Sequence, residues 1–348
     1  MRVSLHRSVS VVVAVAACAL VLAGCARDAA EPAESPSPAS TSTPTPTPTP
    51  TAEHAIAFGG DCDAALRPDQ RRALFDVETV GYGADPGREV GVGTLGGVDC
   101  GWHAVDGNTV AGDAYRASVL VFPTSVIPTD LQTEASEGHC IQMYDASTCT
   151  LGADVDGVWV VAQTVHDARA DLEAPTAFLQ SVIDAVAANM AGAVRPVAST
   201  PTAGWWKVDV SCEELGRRLG LADFLGSAYI TGWWEGNPSL QWTWRLLESA
   251  GVSRTCLWFP DFDDGSSNGA SYGLTSLELS PGGAWDAERT LGVGEATTLA
   301  GGQLAAVDGT TELTVDGPNV ARVHVGASGT GDPTSILERA VRELATNP

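Results

Sequence analysis

Hydrophobic and polar positions divide the 348-residue chain into three regimes. The first is a continuous apolar run, Val9 to Leu22, preceded by Arg2 and Arg7 and closed by Leu22-Ala23-Gly24-Cys25. Its length is short for a bilayer-spanning helix, and its flanks are those of a secretory signal. The second regime, Ala26 to Ala52, has no large apolar residue and ends in a Thr-Pro alternation from Thr43 to Thr51. Such a segment cannot bury a core, and its prolines favour polyproline II. The third regime, residues 53–348, carries strand-like and helix-like apolar spacing throughout. Strands are expected at Ala117 to Phe122, Val158 to Val165, Leu274 to Leu279 and Val320 to Val325. Helices are expected from Pro175 and from Pro333, each with one apolar stripe and a proline near its first turn.

Within the third regime the same order of features occurs twice. Asp61-Cys62-Asp63-Ala64-Ala65-Leu66 corresponds to Val210-Ser211-Cys212-Glu213-Glu214-Leu215. Cys100-Gly101-Trp102 corresponds to Cys256-Leu257-Trp258. The closing helices align without a gap, so that Val182, Ile183 and Val186 fall on Ala340, Val341 and Leu344. The expected organisation is a signal at 1–24, a lipidated cysteine and tether at 25–52, a first repeat at 53–190, a linker at 191–204 and a second repeat at 205–348. Each repeat is expected to be α+β: an antiparallel sheet with helices on one face, the N-terminal helical segment and the C-terminal helix included.

Eight cysteines are present. Cys25 stands where a bacterial lipobox places the cysteine that is diacylated, and two acyl chains suffice for stable anchoring. The tether could then hold the folded part up to roughly 80 Å from the bilayer. With Cys18 in the signal, six cysteines remain, an even number that in an exported chain implies three disulfides. The duplication predicts their pairing. Equivalent bonds are Cys62–Cys100 and Cys212–Cys256, and Cys140–Cys149 closes a short loop of the first copy alone.

The chain has 19 basic and 43 acidic residues. Loss of Arg2 and Arg7 with the signal leaves a net charge of −26, which argues against nucleic acid and against electrostatic docking to anionic lipid. Lys207 is the sole lysine, and the Arg-for-Lys bias with abundant Ala, Gly and Val suggests a high-GC actinomycete. The N-terminal Cys with a Leu three or four residues on, the later Cys-x-Trp and the closing helix resemble secreted actinobacterial lipoprotein domains of unknown function, the LpqN-like and kinase-sensor-like extracellular domains among them. The resemblance spans most of residues 57–346. It implies a compact disulfide-tied α+β domain and supplies no catalytic residue.

Several motifs suggest chemistry, and their contexts decide against it. Gly91-Val92-Gly93-Thr94-Leu95-Gly96 matches GxGxxG but lacks the preceding strand and following helix of a dinucleotide site, so a flexible glycine loop is expected. Gly269-Ala270-Ser271-Tyr272-Gly273 matches GxSxG but runs into strand-like sequence rather than a helix. Asp261 to Gly269 is rich in carboxylates but has Gly265 and Ser266 where a calcium loop needs a ligand and then glycine, so a polar hairpin loop is expected. The histidines His54, His103, His139, His166 and His324 show no metal-ligand spacing, and no metal or cofactor is expected.

Tryptophan is the unusual feature: eight of the ten lie in the second copy. Trp242 and Trp244 would share one face of a strand, and neighbours such as Trp233-Trp234 would point opposite ways. Such rings either fill a core or are presented to sugars, lipids or proteins. The candidate binding surface is therefore Trp233, Trp234, Trp242 and Trp244. Together these features point to a lipid-anchored protein on the extracytoplasmic face of the cell membrane. It would be non-enzymatic and bind an envelope glycan, lipid or protein partner. The alternatives are a cell-wall hydrolase using carboxylates in a cleft, and a purely structural surface protein.

Overall fold

A computed structural model describes residues 54–82, 86–110, 114–143, 146–167, 176–226, 228–231, 241–260, 275–287, 291, 294–308, 311–325 and 332–346. The signal, Cys25, the tether, Trp233, Trp234, the Asp261 to Gly269 segment and the GxSxG match lie outside the described residues. Residues 51–348 make one compact unit. It contains two antiparallel sheets built to one plan.

In the first copy the helices are α1 (Cys62–Ala65), α2 (Pro68–Phe75), α3 (Pro86–Thr94), α4 (Thr129–Glu137) and α5 (Thr176–Asn189). Its strands are β1 (Thr79–Tyr82), β2 (Val98–Ala104), β3 (Ala114–Pro123), β4 (His139–Met143), β5 (Ala146–Val155) and β6 (Val158–Asp167). They lie in the order β1-β2-β3-β6-β5-β4. The second copy has α6 (Cys212–Arg218), α7 (Leu221–Leu225), α8 (Trp242–Ser249) and α9 (Pro333–Ala345). Its strands are β7 (Tyr229–Thr231), β8 (Arg254–Pro260), β9 (Thr275–Ser280), β10 (Glu295–Thr298), β11 (Leu304–Asp308), β12 (Thr311–Asp316) and β13 (Asn319–Val325). The order β10-β11-β12-β13-β9-β8-β7 repeats that of the first sheet and adds one edge strand.

Local chemistry repeats with the topology. Asp61 caps α1 through its carboxylate, and Ser211 caps α6 through its hydroxyl, each immediately before a disulfide cysteine. Cys62 bonds Cys100 and Cys212 bonds Cys256, with Cα separations of 5.4 and 5.3 Å. Cys140 bonds Cys149 directly across the β4–β5 pair, so this disulfide staples two neighbouring strands. One row across each sheet makes the correspondence explicit. In the first copy Cys100 pairs with Val119, then Ala162, then Leu151. In the second, Cys256 pairs with Leu277, then Val323, then Glu312. The stripe Leu179, Val182, Ile183 and Val186 of α5 is buried on the first sheet, as Leu337, Ala340, Val341 and Leu344 of α9 are on the second. A large apolar side chain so buried contributes about 1.5–3 kcal/mol.

The expectation of helices on one face is incomplete, because the two copies cover each other. Opposite α5, the first sheet presents Leu120, Phe122, Trp159 and Val161, which join Trp242, Trp244, Leu246 and Leu247 of α8 in a third apolar cluster. The second copy's helix thus completes the first copy's core, and α3 of the first copy packs reciprocally on β9 and α8. The reading of Trp242 and Trp244 as strand residues is corrected here. They occupy α8, where Trp242 and Leu246, and Trp244 and Leu247, stack at helical spacing.

The glycine-rich motif is likewise helix, not flexible loop. Gly91 and Gly93 lie in α3, and a Cβ on Gly93 would stand 2.0 Å from the Trp285 ring. The smallest side chain is needed there for α3 to meet the second copy. Gly96, at φ +73°, ends the helix in a Schellman motif: its N–H donates to Gly93 O, and the Gly97 N–H donates to Val92 O. Helix α8 ends the same way, with Gly251 donating to Glu248 O and Val252 to Leu247 O. The 191–204 joining segment is docked: Ala55 and Val197 exchange both backbone hydrogen bonds, and the Ser199 N–H donates to Thr94 O.

Candidate functional site

The sequence-predicted binding surface divides in two. Trp233 and Trp234 lie outside the described residues. Trp242 and Trp244 are 1 % and 7 % exposed, which removes them from any surface that could meet a ligand. Trp205 and Trp285 are half-buried, and Trp206 and Trp258 are buried. The second-copy rings that can be followed are therefore core and inter-copy packing.

What the two copies create between them is a cleft of about 290 Å³. Its walls are the loop at Ile56, Gly59 and Gly60, helix α3 at Glu89 and Gly93, the start of β2 at Val98 and Asp99, and Trp285 and Asp286 of the second copy. Each wall has a local cause. The loop turns through three successive left-handed residues, Phe58, Gly59 and Gly60. Phe58 at φ 54° is an uncommon conformation for a bulky side chain and is held by burial of its ring in the first core. Trp285 is fixed from both sides: Gly93 lies against its ring, and His54 tilts against it with centroids 5.7 Å apart. Its indole Nε1 donates to Thr94 Oγ1 at 3.1 Å, and His54 Nε2 stands 2.8 Å from Gly93 O.

At the floor stands Asp99, whose side chain is 2 % exposed and 2.7 Å from Arg88 Nη2. Burial pushes the Asp99 carboxyl above the ordinary carboxylate value, with Arg88 opposing that rise. The ion pair continues into an aromatic cluster on the same sheet face. Tyr82 lies flat over Gly101, where a Cβ would meet its ring at 2.4 Å. The Arg116 guanidinium sits 5.2 Å from the Tyr82 ring and 5.7 Å from that of Tyr115. Burial first, then Asp99, raise the Tyr82 phenol above its usual value. A second, more open cleft of about 420 Å³ on the second copy includes Lys207, Asp209, Arg218 and Glu343.

Three carboxylates line the inter-copy cleft, Glu89, Asp99 and Asp286, and of these Asp99 is turned to Arg88. Among the described histidines, His54 meets Gly93 O, His139 pairs with Glu134 at 3.1 Å, and buried His166 meets Thr164 Oγ1 at 2.8 Å. Among the described residues no group of three or more His, Cys, Asp or Glu could hold a metal ion. Arg88, Glu89, Asp99, Trp285 and Asp286 were missed by sequence reasoning. Their one legible trace is Asp99, an acid beside a disulfide cysteine on a largely apolar strand.

No protein-family model matches this chain, and no curated protein does. A search of solved structures returns the di-domain ARO/CYC StfQ from the steffimycin biosynthetic pathway, which is 10 % identical. That alignment covers 82 % of this chain and 90 % of the other at a TM-score of 0.13, a likeness that carries no argument about fold or activity.

Proposed function

We propose that this protein is an exported lipoprotein, anchored through Cys25 on the extracytoplasmic face of an actinobacterial membrane, that binds a small ligand or a partner's side chain in the cleft between its two copies. One observation carries the binding reading: both copies contribute to a preformed polar cavity, lined in the first copy by the buried Asp99, whose carboxylate is paired with Arg88, and in the second by Trp285 and Asp286. Binding cavities favour such interfaces between modules, and about 290 Å³ is at the small end of their range. The lipobox and the three disulfides support the export reading, since disulfides persist in oxidising compartments. The resemblance to LpqN-like and kinase-sensor-like domains is compatible with it and names no ligand.

The test is retention of envelope-extract components on the secreted Cys25→Ser protein, compared with the same protein carrying Asp286→Arg and Glu89→Arg. Both proteins are first shown to melt alike. Components retained by the parent and lost with the reversed cleft charges support the reading. Identical retention by both would remove the cleft from the function. Turnover of a retained glycan would instead favour the hydrolase alternative.

A further inference from the structure

The row that runs from the half-cystine across each sheet differs in kind at its last position. It ends in Leu151 in the first copy and in Glu312 in the second. Leu151 belongs to the apolar cluster under α5. Glu312 takes that place under α9, is 0 % exposed, and among the described residues neither carboxyl oxygen completes a hydrogen bond of ordinary geometry. Its row neighbour Val323 belongs to the second apolar core, as do Ile336 and Leu337 on the helix above. The charged groups that bear on it are both acidic and both on α9, the N-cap Asp332 and Glu338. The Glu338 carboxylate already accepts the Ala300 N–H. Thr334 favours the ionised form and is outweighed by burial.

We infer that Glu312 is a proton-operated latch for the C-terminal helix: neutral, it packs as its Leu151 counterpart does, and ionised, it loosens α9 from the second sheet. A buried carboxylate flanked by two acidic groups and favoured only by the Thr334 side chain prefers its neutral form, and burial does push Glu312 above the ordinary glutamate value of 4.5. The linkage has a definite sign. Below pH 4.5 the group is protonated in both folded and unfolded chains and exerts no effect. As pH rises, the unfolded chain loses this proton first, so folded stability falls until the pH passes the raised folded value. The device is therefore tight in acid and loosened toward neutrality. It does not depend on what the inter-copy cleft binds.

The experiment compares the full chain with Glu312→Gln and Glu312→Leu by thermal melting and by hydrogen exchange of α9 amides between pH 5 and pH 8. Expected at pH 8 are higher melting temperatures for both variants, by about 3 °C or more for Glu312→Leu. Also expected is exchange in α9 of the parent that accelerates with pH beyond the intrinsic rate, while the Gln variant follows the intrinsic rate alone. The same pH response in parent and Gln variant would overturn the latch. So would a lower melting temperature or failed folding of either variant, because the ionised carboxylate would then be supporting the fold.

Discussion

The indole Nε1 of Trp242 donates to the backbone carbonyl of Leu131 at 3.0 Å, across 111 residues of sequence and between the two copies. Beside it Arg245 grips Glu134 through two hydrogen bonds of 2.8 and 2.6 Å, and the Trp242 ring packs 6.2 Å from that of Phe122. Helix α8 is thus as much a part of the first copy's core as of the second. Trp242→Ala should cost about 3–5 kcal/mol, the usual loss for a buried large aromatic. Trp242→Phe keeps much of the packing and should lose about 1 kcal/mol with the hydrogen bond. Denaturant melts followed separately by far-UV dichroism and fluorescence check both values. A Trp242→Ala protein as stable as the parent would contradict the shared core.

Gly93→Ala should destabilise the contact between the copies, because the added methyl would stand 2.0 Å from the rigidly held Trp285 ring. The expected loss is about 1–3 kcal/mol, with a red shift in tryptophan emission as Trp285 is displaced. Gly81→Ala is the control: its backbone is not left-handed, and its Cβ would meet only Gly101 O, at an ordinary 3.8 Å. Equal losses at both positions would mean that the Trp285 ring does not set the cost.

Reduction of the disulfides should not be uniform in its effect. In the chain-entropy view, closures spanning 38 and 44 residues contribute about 4 kcal/mol each, and the nine-residue closure about 3 kcal/mol. Non-reduced peptide mapping should recover Cys62–Cys100, Cys140–Cys149 and Cys212–Cys256. The paired Cys140→Ser and Cys149→Ser changes should be tolerated best. A cross-link joining the two copies in the mapped peptides would contradict this pairing.

Glu214 accepts hydrogen bonds from both Arg217 and Arg218, and those contacts hold its carboxyl down at about 2. The folded value lies below the unfolded one, so any stability it contributes is present above about pH 4.5 and is lost as pH falls toward 2. Its exposed position keeps that contribution small. A carbon-13 titration of the side-chain carboxyl should show the low midpoint, and Arg218→Ala together with Arg217→Ala should return it toward 4.5. An ordinary midpoint in the parent would show that these contacts do not persist in solution.

Replacing Cys25 by Ser should send the protein into the medium or leave it as uncleaved precursor. Fractionation and intact-mass measurement distinguish these from the parent. A Cys25→Ser protein that stays membrane-bound at mature size would remove the lipid-anchor reading.

Much of this architecture was readable from residue order alone. Two first cysteines each followed by a leucine three or four residues on, two Cys-x-Trp strands and two striped closing helices predicted a duplicated α+β frame and its disulfides. That was possible because strand alternation and helical stripes are local, and because duplication transfers one copy's pairing to the other. Sequence could not say what a helix or a glycine would face. Trp242 and Trp244 have the spacing of a strand's single face, yet tertiary cover from Leu120, Phe122 and Trp159 makes a helix of them and buries both rings. The glycines of residues 91–96 match a dinucleotide-loop pattern, yet their smallness serves close packing, Gly93 against Trp285, Gly91 against Leu247 and Gly96 against the Val197 backbone. The cleft joins Asp99 to Asp286, nearly two hundred residues away in sequence. Its existence rests on how the second copy docks, and that geometry is set by the summed packing of two apolar faces rather than by any segment's own pattern.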